Sequence, residues 1–115
     1  MSDIIIDVLG VNYTVEFNKC DPHNKDDWIK FGEADYLKQN IMININEQVH
    51  AKRIKQTIIH ELTHAFHYEH NACLEQEDNT EFIAEFNSRF LPNIYELYMF
   101  LYEKLIVLRG DIEYE

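Results

Sequence analysis

The sequence predicts an α+β fold: a small, mostly antiparallel sheet of about three strands packed on one helix and followed by a C-terminal helical pair. Three observations lead there. β-branched and aromatic residues crowd the N-terminal stretch DIIIDVLGVNYTVEF, QNIMININ alternates apolar with polar side chains, and beyond about Gln48 the apolar residues recur at helical spacing. Strands come first and helices second, which is the order of an α+β chain rather than of an alternating α/β one. A chain of 115 residues has the size of one domain, residues 1–115, and no repeat or Pro/Gly-rich linker divides it.

Taken in order, DIIIDVLGVNYTVEF reads as two short strands around Leu9-Gly10. Residues 18–35 hold turn formers and charges and read as loop with at most a short element. In QNIMININ, Ile41, Ile43 and Ile45 face one way while Met42, Asn44 and Asn46 face the other, a strand with one buried face. From Gln48 to His70, the residues Ile54, Ile58, Leu62, Ala65 and Phe66 form an apolar helical stripe. NACLEQEDN interrupts it. A second helix starts near Asn79, with Asp78 or Asn79 as N-cap, and stacks Phe82, Phe86 and Phe90 on one face. Pro92 is expected to end or kink that helix. Ile94, Leu97, Leu101, Leu105 and Leu108 then continue the stripe until Gly110 stops it.

Composition narrows the functional classes. The net charge of −11 disfavours binding to a polyanionic nucleic acid, and no Lys/Arg cluster offsets it. MSDIIIDVLG lacks a basic n-region, and its apolar run is too short for a signal peptide or a membrane span, so a cytoplasmic location is expected. Cys20 and Cys73 form neither a disulfide framework nor a CxxC pair. Cys20 and His23 in CDPH stand at ligand spacing, but without a second such pair a solvated loop is the better reading.

The stretch IIHELTHAFHYEH, residues 58–70, carries four of the six histidines. Within it His60, Glu61 and His64 form HExxH. On a helix, residues four apart lie one turn above each other, so both imidazoles can face one ion. Glu61, offset by about 100°, stays off the ion yet near a water the ion holds, where it can take a proton and pass it to a leaving amine. The bland alternative is a polar helix face that happens to carry histidines. A three-ligand zinc site with an open position needs one more donor. His70 is rotated by about 100° from the His60/His64 face and lies ~9 Å further along a continuing helix, so it is read as an exposed last-turn residue that suits the helix dipole. His67 shares the ligand face but rises away from the ion, which leaves it a role beside the substrate or none. Glu81, 17 positions after His64 at the start of the next helix, is the stronger candidate. Its structural alternative is a capping box with Asp78. Glu85, one turn on, is either the ligand in a shifted register or an acceptor for a ligand's ring N–H.

HExxH on one helix and Glu-x-x-Ala-Glu (EFIAE, 81–85) opening the next resembles the gluzincin arrangement. The compact form is similar to the small ImmA/IrrE-type metallopeptidases of phages and mobile elements, strongest over residues 57–66 and spanning roughly 35–92. The resemblance implies a minimal zincin-like domain with one zinc ion on His60, His64 and Glu81, and Glu61 as general base. It implies hydrolysis of a peptide bond in a protein substrate, such as a repressor-type regulator, with the peptide extended along an edge strand at residues 41–46. No C-terminal domain is expected to read a substrate, and among seven tyrosines, Tyr68, Tyr95 and Tyr98 included, none stands out to stabilise an oxyanion. Two other functions stay open: a zinc-binding regulatory module with little or no catalysis, and a metal-free helical interaction domain.

Overall fold

The computed structural model describes residues 4–19, 31–71 and 80–110, with the side chains of 71 and 80–83 excepted. Four strands and two helices follow one another: β1 (Ile4–Val8), β2 (Val11–Asn18), β3 (Gly32–Asp35), β4 (Asn40–Asn44), α1 (Ala51–Asn71) and α2 (Thr80–Arg109). This is an α+β architecture. Its sheet has four strands rather than about three, in the order β1-β2-β4-β3, and it is mixed: β1–β2 and β3–β4 are antiparallel, while the central β2–β4 pair is parallel.

Local chemistry sets both hairpins. Leu9 and Gly10 each take positive φ (53° and 89°), the turn that matches the twist of two antiparallel strands, and the Asp7 carboxylate accepts the Gly10 N–H at 3.0 Å. Between β3 and β4, Asp35 accepts the N–H groups of Leu37 and Lys38, and Gln39 closes the turn at φ 54°. β3 falls inside the stretch read as loop, because GEAD has no apolar alternation and becomes a strand only by pairing with β4. Ile41, Ile43 and Ile45 are buried as their alternation predicts, and Asn44 is buried too, its Oδ1 accepting the Asn46 N–H at 2.9 Å. β4 is an interior strand, so residues 41–46 offer no edge for a peptide. Among the described strands, the edge beside it is β3.

α1 begins with His50 as its N-cap, the imidazole Nδ1 accepting the Lys52 N–H at 3.0 Å. The predicted stripe of Ile54, Ile58, Leu62, Ala65 and Phe66 is buried and joins the strands' inward residues in one core. α2 is one continuous helix of 30 residues with Pro92 inside it, not a helical pair. Pro92 lies on the exposed side, and Phe86, Phe90, Ile94, Leu101 and Leu105, all buried, continue the packing on both sides of it. That shared apolar face outweighs the missing hydrogen bond. Leu108 departs from the stripe and is exposed, while Gly110 ends the helix at φ 81° as expected.

The two helices run antiparallel. Phe86 meets the rings of His67 and His70, Lys55 sits over Tyr102, and Arg109 donates to the carbonyls of Val49 (2.7 Å) and Glu47 (3.2 Å). Arg109 thereby ties the end of α2 to the segment that enters α1. Arg109→Ala is expected to cost about 1–3 kcal/mol, since hydrogen bonds to a charged group are lost. Urea denaturation would register this as a lower midpoint at unchanged slope. Among the described residues, no helix is long and apolar enough to cross a membrane.

Candidate metal centre

The site grows out of one turn of α1. Its apolar stripe faces the core, which turns His60 and His64 outward, and both are exposed. Their Nε2 atoms approach to 3.0 Å with the rings nearly perpendicular (80°, centroids 4.5 Å apart). Two zinc-bound nitrogens at 2.0–2.1 Å on a tetrahedral ion would be about 3.3 Å apart, so this convergence fits two corners of such a site. Although the residue is exposed, partial desolvation of its ring, with His60 and His67 nearby, holds the His64 imidazole below its ordinary pKa, favouring the neutral form that a metal binds.

Glu61 lies on the inner side of the same turn and is only 8% exposed. Burial pushes its carboxyl above the ordinary range; His60 pulls it down and the Glu33 carboxylate raises it further. What buries it is β3. A Cβ placed on Gly32 would stand 2.7 Å from Thr57 Cγ2, 3.0 Å from the Met42 carbonyl and 3.3 Å from Glu61 Cγ. Only glycine lets the strand come this close to the helix. At the other end of β3, the Tyr36 ring lies flat on Tyr68, centroids 4.3 Å apart and 6° from parallel. β3 therefore runs alongside α1 in the same direction, from Thr57 and Glu61 to Tyr68.

The Asn44 N–H bonds the Phe31 carbonyl, and the antiparallel register continues from that pair, so Glu33 and Asp35 direct their backbone groups at β4. Gly32 and Ala34 then point their N–H and C=O groups outward, where no described strand pairs with them.

Of the remaining candidates, His67 adjoins His64 and the others lie elsewhere. The half-buried His67 sets its ring edge-on to Phe86, and His70 packs on Phe90 at 4.9 Å. Glu85 is exposed and lines a small cavity of about 120 Å³ with His70, Phe86, Arg89 and Phe90, not the His60/His64 turn. Glu81 is the second residue of α2, and its side chain is outside the described residues. Because Phe86 already faces His67 and His70, the backbone at 81, about 7.5 Å further along the α2 axis, lies toward the C-terminal end of α1. Among the described residues, no group of three His, Cys, Asp or Glu side chains could hold a metal ion. Cys20, His23 and Cys73 are outside the described residues.

The structure thus brings His60, Glu61 and His64 together on one turn of α1, with β3 packed against Glu61. Sequence reasoning missed Gly32 and Tyr36. A glycine next to a short polar strand was the available signal for Gly32, but GEAD looks like a turn until its pairing is known. Compared with known proteins, the chain matches no family model, no curated protein and no solved structure.

Proposed function

We propose that the chain is a zinc-dependent peptidase acting in the cytoplasm on an extended segment of a protein substrate, a repressor-type regulator being the favoured kind. The observation that carries this reading is the converging imidazole pair on the same turn as a buried glutamate, which packs against β3, a strand whose outer edge no described strand pairs. His60 and His64 would hold the ion, with Glu81 as third ligand. When bound, zinc would polarise a water molecule and the substrate carbonyl.

The chain's own residues do the rest. Gly32 and Ala34 hydrogen-bond the peptide backbone and lay it along β3, across the histidine face. Glu61, whose raised pKa brings it nearer the operating pH, takes a proton from the attacking water as oxygen bonds to the carbonyl carbon. It then delivers that proton to the amide nitrogen as the C–N bond breaks, giving one carboxyl and one amino terminus. Burial under β3 keeps Glu61 away from bulk water, so its proton exchanges with the reacting groups.

A second reading, a zinc-binding regulatory module without turnover, draws support from the helix pairing, which sets both Glu81 and Glu85 toward the far end of α1. For Glu81 to ligate, the first turns of α2 must draw in toward His64 when metal binds. Zinc titration of the wild type and of His60→Ala, His64→Ala, Glu81→Gln and Glu85→Gln tests these points together with cleavage of a peptide library. The peptidase reading expects one zinc per chain, loss of tight binding in both histidine variants and in Glu81→Gln, retention in Glu85→Gln, and cleavage only by the loaded protein. Zinc bound without cleavage selects the regulatory module, and no zinc under any loading condition overturns both.

A further inference from the structure

β1 is an outer strand of the sheet, and no described strand pairs with its far side. Val8 and Val11 flank a two-residue turn and exchange both backbone hydrogen bonds, so along the hairpin Ile4, Ile6 and Val8 aim theirs at β2. Ile5 and Asp7 therefore direct their N–H and C=O groups away from the sheet. Thr14, opposite Ile5, agrees: it gives its N–H to the Gln39 carbonyl on its other side at 2.9 Å. Beside the start of this edge lies a groove of about 760 Å³, whose lining includes Ile4, Ile5, Phe100, Val107 and Leu108. Ile5 is 60% exposed and Val107 82%. One more apolar side chain stands in an unusual place. Leu9 holds φ 53° at the hairpin turn, a conformation that suits Asn or Gly far better, and it is exposed.

We propose that a second copy of this chain pairs with the β1 edge, strand antiparallel to strand, with Ile6 opposite Ile6 on the two-fold axis. That register sets Ile4 against Val8 and Ile5 against Asp7, so all five residues of each strand are used and the outward backbone groups meet. The inner ladder of Ile4, Ile6 and Val8 is apolar throughout, and no carboxylate faces another. A shift of two residues toward the turn would put Asp7 opposite Asp7, and the opposite shift would leave Asp7 and Val8 beyond the other strand. In the chosen register Leu9 of the second copy follows its Val8 past Ile4 to the mouth of the groove, where Phe100, Val107 and Leu108 cover its side chain. Residues 4–9 and these three make nine on each copy, against about 20–30 in a standard interface, so the dimer depends on concentration. A net charge of −11 on each copy opposes association at long range, and salt relieves it.

Sedimentation velocity of the whole chain from micromolar to millimolar concentration, at about 0.05 M and about 0.5 M salt, reads the association. Melting temperatures are taken in dilute, monomeric protein. Wild type should pass from the mass of one chain to that of two as concentration rises, and should do so earlier in high salt. Ile5→Asp sets like charges opposite each other twice and should weaken the dimer roughly 10-fold or more, whereas Ile5→Lys meets Asp7 and should dimerise at least as well as wild type. Leu9→Asn gives the turn a residue that accepts its φ, so the melting temperature should hold or rise while the dimer weakens roughly 10- to 100-fold. Ile5→Lys weakened as much as Ile5→Asp overturns the register, and Leu9→Asn dimerising like wild type overturns the seat in the groove. A chain that stays monomeric at every concentration and salt overturns the dimer and leaves the open edge to a strand of a different protein.

Discussion

Glu61→Gln is expected to lower kcat for peptide hydrolysis by roughly 10²- to 10⁴-fold, the contribution of a positioned general base, while zinc stays bound. The amide has nearly the shape of the carboxylate and leaves the His60/His64 pair untouched, so metal affinity and substrate KM should change little. Stability gives an independent check. A carboxyl whose folded pKa lies above its unfolded value stabilises the fold most below that unfolded value, and the stabilisation is lost as pH rises through the folded one. Because burial raises Glu61, its charge opposes folding at neutral pH. Metal-free Glu61→Gln should therefore melt higher than wild type at pH 7, with the gap closing as pH falls toward the ordinary glutamate range. Lost turnover with an unchanged or lowered melting temperature would separate catalysis from the burial argument, and preserved turnover would remove Glu61 from the mechanism.

The second large effect belongs to Gly32→Ala. The new methyl would meet Thr57 Cγ2 at 2.7 Å and the Met42 backbone oxygen at 3.0 Å, so β3 has to lift from α1. Overpacking of this kind costs about 1–3 kcal/mol. The consequence for function should be selective: His60 and His64 are carried by α1 alone and keep their zinc affinity, while Glu61 loses its cover and hydrolysis falls. Thr57→Ser removes the Cγ2 atom yet retains the hydroxyl that bonds the Arg53 carbonyl at 2.8 Å. In a double-mutant cycle it should recover part of the lost stability in the Gly32→Ala background, while on its own it costs about 0.5–1.5 kcal/mol for the deleted buried methyl. Additive costs would place the strain somewhere other than this contact.

How much of this was legible beforehand follows from the range of each signal. The α1 stripe, the Leu9-Gly10 turn and the Gly110 stop depend on residues within a turn or two of each other, and periodicity reads them directly. HExxH is equally local, so His60, Glu61 and His64 could be named from spacing alone. β3 could not, since its four residues become a strand through register with Asn40–Ile43, which no local pattern encodes. The edge position of β3, the interior position of β4 and the meeting of Tyr36 with Tyr68 all depend on strand order. Pro92 misled for the same reason: the rule against mid-helix proline is local, and the apolar face of α2 against α1 is not.

The parallel β2–β4 pair makes the two parts of the site unequal in time. Parallel neighbours cannot be joined by a tight turn, and here residues 19–39, β3 among them, must be carried across before the central ladder closes. The entropy of that closure is lost before the pairing contacts repay it, which delays the step relative to helix growth. The imidazole pair is thus set by the winding of α1 alone, while the strand that shelters Glu61 takes its place only after that closure.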